Sequence, residues 1–480
     1  MSDKYQSEHN PSLSDLFFTR RQFLNRFGTG FGALSLAGFL PELLSPGEAA
    51  AAPSGPLSPK QAHFPAKAKR VIHIFAQGAP SQVDTWDPKP ALKDYAEKNP
   101  DKPLPGQGGV SLPSPFNFEK KGRSGLEVSE VFPKIGEHAD NIAVIRSMYT
   151  DIPSHEFASM LMNTGSGRRV MPSLGSWVTY GLGSENQNMP GFISLRPGGV
   201  PPGGSSNWQS AFLPGVYQGT SINTQFTSVE QLIENIKSTF TTLPEQRQQL
   251  DLLHKLNQIH SQNLQKEAQL EARLQAFEMA YQMQIEATDA FDISREPQNV
   301  RDAYGNTQQG RQMLIARRLL EKGVRFVQVW AGGWDHHSNL ERALRDRARD
   351  IDTPLAAFMN DLKQRGMFDS TLIVWGGEFG RTPSRQLPNA SSAFEVPGRD
   401  HNNQAFSTWL AGGGVKGGLA YGSTDEFGAR AVENRVHIHD LHATVLALLG
   451  FDHEKLTYRY NGRDFRLTDV HGHVVKDVIA

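Results

Sequence analysis

From residue 310 onward the chain alternates short, almost uninterrupted apolar runs with longer amphipathic ones. No other feature of the sequence restricts the fold as much. "GRQMLIARRLLEKG" (310–323) has helical spacing and ends on glycine, and "VRFVQVWAGG" (324–333) reads as a strand buried on both faces. "DTPLAAFMNDLKQRGM" (352–367) predicts a helix, and "STLIVWGGEFGRTP" (370–383) a strand followed by a loop. "QAFSTWLAGGGVKGG" (404–418) is a further strand and "HDLHATVLALLG" (439–450) a further helix. Upstream, "KRVIHIFAQGAP" (69–80), "NIAVIRSM" (141–148) and "GFISL" (191–195) supply three more strands. Apolar strands separated by helices predict an α/β fold with a mostly parallel central sheet flanked by helices. Ligands of such sheets bind beyond the carboxyl ends of the strands.

The rest of the chain divides by composition. Residues 1–52 read as an export leader. "TRRQFL" holds Arg20 and Arg21 ahead of Phe23 and Leu24, and a weakly apolar segment and an alanine run follow. This pattern resembles a twin-arginine signal, which implies transport by the twin-arginine translocase to the periplasm or the extracellular space. The apolar stretch from Phe27 to Leu40 is too short for a stable membrane span, so the mature chain is expected to be soluble. Residues 65–480 are expected to form one domain carrying a helical insertion at about 226–321. Within it Leu253, Leu256, Leu270, Leu274, Phe277 and Tyr281 recur at helical spacing. Residues 97–125 and 196–225 read as loops. The formal charge of −1 excludes the basic footprint of a nucleic-acid binder. With no cysteine in 480 residues, disulfides, thiolate metal sites and cysteine nucleophiles are excluded as well.

Four segments at strand boundaries gather acids and histidines. "QGAPSQVDTWDPKP" carries Asp84 and Asp87, and "TDIPSHEF" carries Asp151, Ser154, His155 and Glu156. "GGWDHHSN" carries Asp335, His336 and His337, while "GGEFGRTP" with "GRDHNN" carries Glu378, Arg381, Asp400 and His401. Singly, each has a bland explanation: an Asp after a strand caps a turn, and paired histidines sit in solvated loops. Together they offer mixed carboxylate and imidazole donors, which suit zinc, manganese or iron(II); calcium prefers oxygens alone.

These motifs in this order resemble the family named domain of unknown function 1501, often labelled sulfatase, of the alkaline phosphatase-like superfamily. The resemblance covers the mature chain and implies metal ions at the strand ends and transfer or hydrolysis of sulfate or phosphate esters. Carried over, it assigns a divalent metal (zinc, manganese, iron or calcium) to Asp335, His337 and His401. Glu378 and Asp84 or Asp87 would serve a second position, where Phe379 stands in place of a histidine. His337 is expected to be the ligand in preference to His336. Ser154, at the predicted start of a helix, is the candidate nucleophile, with His155 as acid/base, Arg146 as an anion contact and Arg381 steadying the ester oxyanion. The "RTPSR" stretch (381–385) lacks a convertible residue, so a cysteine-formylglycine sulfatase is not expected.

Two readings of function follow. One is an exported, metal-dependent hydrolase of anionic sulfate or phosphate esters, with polysaccharide esters as one substrate class. The other is a catalytically degraded scaffold or binding protein on the same fold.

Overall fold

The computed structural model describes residues 56–233, 240–263, 288–386 and 396–480, with residues 274, 277, 278, 281 and 282. The segment 1–52, expected as a twin-arginine leader, and Leu270 lie outside the described residues. Gly55–Glu234 and Gln265–Ala480 form the main compact unit; Leu243–Asn263 is a 21-residue helix of a separate unit.

Eleven strands serve the account below. They are β1 (Arg70–Phe75), β2 (Ile142–Tyr149), β3 (Phe192–Arg196), β4 (Thr220–Asn223), β5 (Phe326–Trp330), β6 (Thr371–Gly376), β7 (Gly380–Arg385), β8 (Arg399–Asn402), β9 (Phe406–Ala411), β10 (Leu419–Tyr421) and β11 (Val436–His437). The helices are α1 (His155–Thr164), α2 (Leu174–Leu182), α3 (Gln308–Glu321), α4 (Leu340–Gln364) and α5 (Ile438–Leu448). Among the described residues the central sheet has nine strands, in the order β10-β2-β9-β6-β1-β5-β3-β4, with β11 also paired to β2. All its pairings are parallel except those of β9, which runs antiparallel to both β2 and β6. The sheet is the mostly parallel one expected.

Both faces of the sheet are buried, which explains the continuous apolar runs. Val71 and Phe75 share one face by the two-residue period and pack with Trp177 and Val178 of α2 and Leu441 and Val445 of α5. On the other face Trp375 and Trp409, adjacent on β6 and β9, stack at 5.9 Å, and Trp86, Phe132 and Trp334 close around Trp375. Helix α3 packs on α4 and on β5 within the main unit.

Two local expectations are corrected. The helix expected at 352–367 begins at Leu340, because Leu344, Ala348, Ile351, Leu355, Phe358 and Leu362 continue one buried stripe through the charged stretch before it. "GRTPSR", expected as loop, is β7. It forms a two-stranded antiparallel ribbon with β8, apart from the main sheet, where a proline is tolerated. That ribbon sets Arg381 opposite His401.

Candidate metal centre

The carboxyl ends of β2, β5 and β6 and the start of β8 meet at one place. His155 is the first residue of α1, which Gly165 closes in a left-handed C-cap conformation. Asp335 and His337 follow β5, Glu378 follows β6, and His401 lies on β8. The turn after β1 is shaped to let these segments approach. Gly78 has φ +108, and a Cβ there would lie 2.7 Å from the Asp335 nitrogen. Ala79 beside it also holds a positive φ of 66, a strained setting for a non-glycine residue.

Asp335 Oδ1 lies 2.8 Å from His337 Nε2, 3.2 Å from His155 Nε2 and 3.4 Å from His401 Nε2. The Nε2 atoms of His337 and His401 are 3.0 Å apart. Ligand atoms of these four residues all fall within 4.8 Å of one another, and among the described residues no other such group of three or more occurs. Each ring has its other nitrogen engaged. His155 Nδ1 is 2.6 Å from Glu378 Oε1, and His337 Nδ1 is 2.5 Å from Gln386 Oε1. His401 Nδ1–H donates to the Pro153 carbonyl at 2.8 Å. With hydrogen on each Nδ1, three Nε2 lone pairs and a carboxylate oxygen face one point. Four electron-rich atoms so close repel unless protons or a cation stand among them; the Arg381 guanidinium reaches Asp335 Oδ1 and lies 3.4 Å from His337 Nε2, while buried His155 Nε2 makes no hydrogen bond. Three nitrogens and one oxygen fit a borderline transition-metal dication. Second partners on the far ring nitrogens are how metal-binding histidines are held.

The electrostatics agree with positive charge here. Burial disfavours a charged His155, but the Asp335 and Glu378 carboxylates outweigh it and raise the ring to about 9. Asp335 sits far below the usual carboxylate range: burial opposes ionisation, and His155, His337, His401 and Arg381 overcome it. Asp335 also raises His337.

The other candidates lie elsewhere. His336 is buried with its ring by Trp334, and burial lowers it to about 4. Asp84 is not brought to the cluster. It pairs with Arg399 through contacts of 2.7 and 3.0 Å, both side chains fully buried, and so ties down the strand that carries His401. Asp87 accepts from Thr424 at 2.5 Å and pairs with Lys89 at 3.1 Å. Arg146 donates to the Trp86 carbonyl and faces Glu127. Ser154 is exposed at the N-cap of α1 and its side chain makes no capping bond. Arg381 is fully buried and engaged at every nitrogen, by the carbonyls of Gly78, Ala79 and Arg399 and by Asp335; no guanidinium edge is left for an ester. His155, expected as acid/base, instead points its ring into the cluster. Gln386 was not anticipated, and nothing in its local sequence marks it. Phe379 packs on His155 at 4.8 Å and on His401 at 4.7 Å, and joins Ala79 and Ala158 in a buried apolar wall.

The family described as protein of unknown function (DUF1501) matches residues 68–479. No curated protein matches the sequence. Among solved structures the chain is similar to the lipoteichoic acid synthase LtaP from Listeria monocytogenes, at 10% identity over 84% of this chain and 76% of that one, with a TM-score of 0.36. It is similar to the PsFucS1 sulfatase from Pseudoalteromonas sp. at 14% identity over 81% and 68%, TM-score 0.33. The alkaline phosphatase from the Antarctic bacterium TAB5 shares 9% identity over 72% and 92%, TM-score 0.32.

Proposed function

The chain belongs to the DUF1501 family, and from that premise we propose that it is an exported, metal-dependent hydrolase of sulfate or phosphate esters built on a single cation centre. The observation that carries this reading is the convergence of His155, His337 and His401 Nε2 on Asp335 Oδ1, with every Nδ1 engaged behind it. A divalent cation held there would supply Lewis-acid polarisation and an acidified water. Zinc, manganese and iron fit the nitrogen-rich donors better than calcium does.

The chain's own groups support a catalytic use. The side chains of Asp335 and His337 are 43% and 28% exposed, so the centre opens to solvent as a catalytic site must; a structural site is closed. Helix α1 begins at His155, and its first-turn N–H groups, uncapped by Ser154, lend positive potential beside the centre. That potential favours an anionic group on the substrate. Phe379 and its apolar neighbours fill the side of the centre where the family resemblance implies further ligands, which favours one cation over two. No described helix is long and apolar enough to cross a membrane. Export by the twin-arginine route rests on the leader motif.

The engagement of Arg381 favours a second reading, in which the centre binds a cation but does not turn over esters. Metal-stripped and metal-reloaded protein should be compared on panels of aryl and glycan sulfate and phosphate esters, with Asp335→Ala as control. Metal-dependent release of sulfate or phosphate, lost in the variant, is expected. Reloaded protein that cleaves neither ester class would leave the binding reading.

A further inference from the structure

We infer that Glu378 is not a metal ligand but a positioning residue, which with the turn Gln77–Ala79 fixes the tautomer and aim of His155. The inference rests on the single-cation reading above.

Glu378 is fully buried, and its Oε1 accepts twice: from the Gly78 N–H at 2.9 Å and from His155 Nδ1 at 2.6 Å. The two nitrogens of an imidazole point to nearly opposite sides of the ring. A cation at about 2.0–2.1 Å from Nε2 therefore has the whole ring between it and an oxygen bonded to Nδ1. The carboxylate cannot reach the ion that His155 binds while it holds His155 this way. With a cation on Nε2, what it does is hold hydrogen on Nδ1 and aim the Nε2 lone pair at the ion.

The same turn serves a second ligand. The Gly78 and Ala79 carbonyls accept from Arg381, whose guanidinium donates in turn to Asp335. One strained turn, with φ +108 at Gly78 and +66 at Ala79, thus orients His155 through Glu378 and Asp335 through Arg381. His337 and His401 are held differently, by an amide oxygen and a backbone carbonyl. Of the three rings only His155 has a carboxylate within hydrogen-bond distance of Nδ1, since Asp400 stands 4.0 Å from His337 Nδ1, and a carboxylate partner makes an imidazole the stronger donor. His155 is the anchor of the set.

The test uses the full chain. Zn2+ affinity is measured by competition with a chromophoric chelator, and the bound shell is counted by X-ray absorption, for the wild type, Glu378→Gln and Glu378→Asp. Glu378→Gln is expected to keep three imidazoles and an unchanged coordination number while binding zinc about 10–100-fold more weakly. The metal-free melting temperature should be nearly unchanged, and Glu378→Asp should recover part of the affinity. If Glu378→Gln does not fold, the loss and its shell are read from Glu378→Asp. Unchanged affinity in a folded variant would overturn the positioning role, and so would a shell that loses an oxygen ligand. A wild type that takes up no zinc would sink the centre itself, whereas a wild type that binds beside an unaffected variant would sink only this inference.

Discussion

Among the described residues histidines gather in two places, and the two gatherings have opposite characters. At the strand ends, three rings direct Nε2 at one carboxylate oxygen, and each has an acceptor behind Nδ1. Around the N-terminus of α5, His437, His439, His442 and His471 touch ring to ring but share no focus. Centroids of His439 lie 5.0 Å from His437 and 5.1 Å from His471, with His442 at 6.2 Å. His437 uses Nδ1 to accept from the His439 N–H, and its Nε2 faces Asp151 at 3.2 Å; His442 Nε2–H donates to the Met162 carbonyl. Burial lowers His437, takes His439 to about 4 and His442 to about 3, and neighbouring rings push the same way. The positive end of α5 also disfavours imidazolium. On the proposed reading one cluster is arranged to hold a cation and the other is not. What separates them is the partner behind each ring and the convergence of three ring nitrogens on one carboxylate oxygen, not the count of histidines.

The contrast breaks most directly at Asp335. Asp335→Ala is expected to weaken metal binding beyond the roughly 100-fold that an orienting partner accounts for, as read by chelator competition. Retained affinity would mean that the three rings suffice alone.

The α5 cluster should appear instead in stability against pH. His437, His439 and His442 have folded-state values below the ordinary one, so between those values and about 6.5 the unfolded chain binds protons that the folded chain does not. Stability is therefore full above pH 6.5 and lost as pH falls towards 4, by about 1.4 kcal/mol for each unit a value is displaced. Asp151 and Asp440 soften the loss, while His73, His471 and the helix end sharpen it. Urea unfolding at pH 7 and pH 4.5 measures it. His439→Asn should flatten the acid limb and leave metal content unchanged; lost metal in that variant would merge the two clusters.

The smallest effect is expected at Ser154. Ser154→Ala, at an exposed position without a capping bond, should change stability by less than about 0.5 kcal/mol and leave the metal in place. Turnover should persist, because the hydroxyl is not among the atoms that converge on the centre. Lost turnover with the metal retained would make Ser154 the nucleophile.

The strands β1, β2, β3, β5, β6 and β9 were legible because two-sided burial writes itself as unbroken apolar runs, as in "TLIVWG"; β4, within the stretch 196–225 read as loop, and β7 carry no such run. The first half of α4 was not, since Leu344, Ala348 and Ile351 are scattered among arginines and aspartates. Asp335, His337 and His401 could be picked out by their places at strand boundaries. Their common focus could not, because it depends on which nitrogen each ring presents. Asp84 shows the limit most plainly. Its partner Arg399 is 315 residues away, and only the fold reveals that this acid holds a strand in place rather than standing in the metal cluster. Glu378 likewise looks the same in sequence whether it stands in front of a metal or behind a ring.

The central claim is one dication held by three imidazoles and Asp335, and anomalous diffraction from crystals of the full chain, grown without chelators and soaked in Zn2+, tests it most directly. The account predicts one strong peak per chain within coordination distance of His155, His337 and His401 Nε2 and an Asp335 oxygen, absent in His337→Ala. A well-ordered site with no peak, or a peak among the histidines of α5, would contradict it.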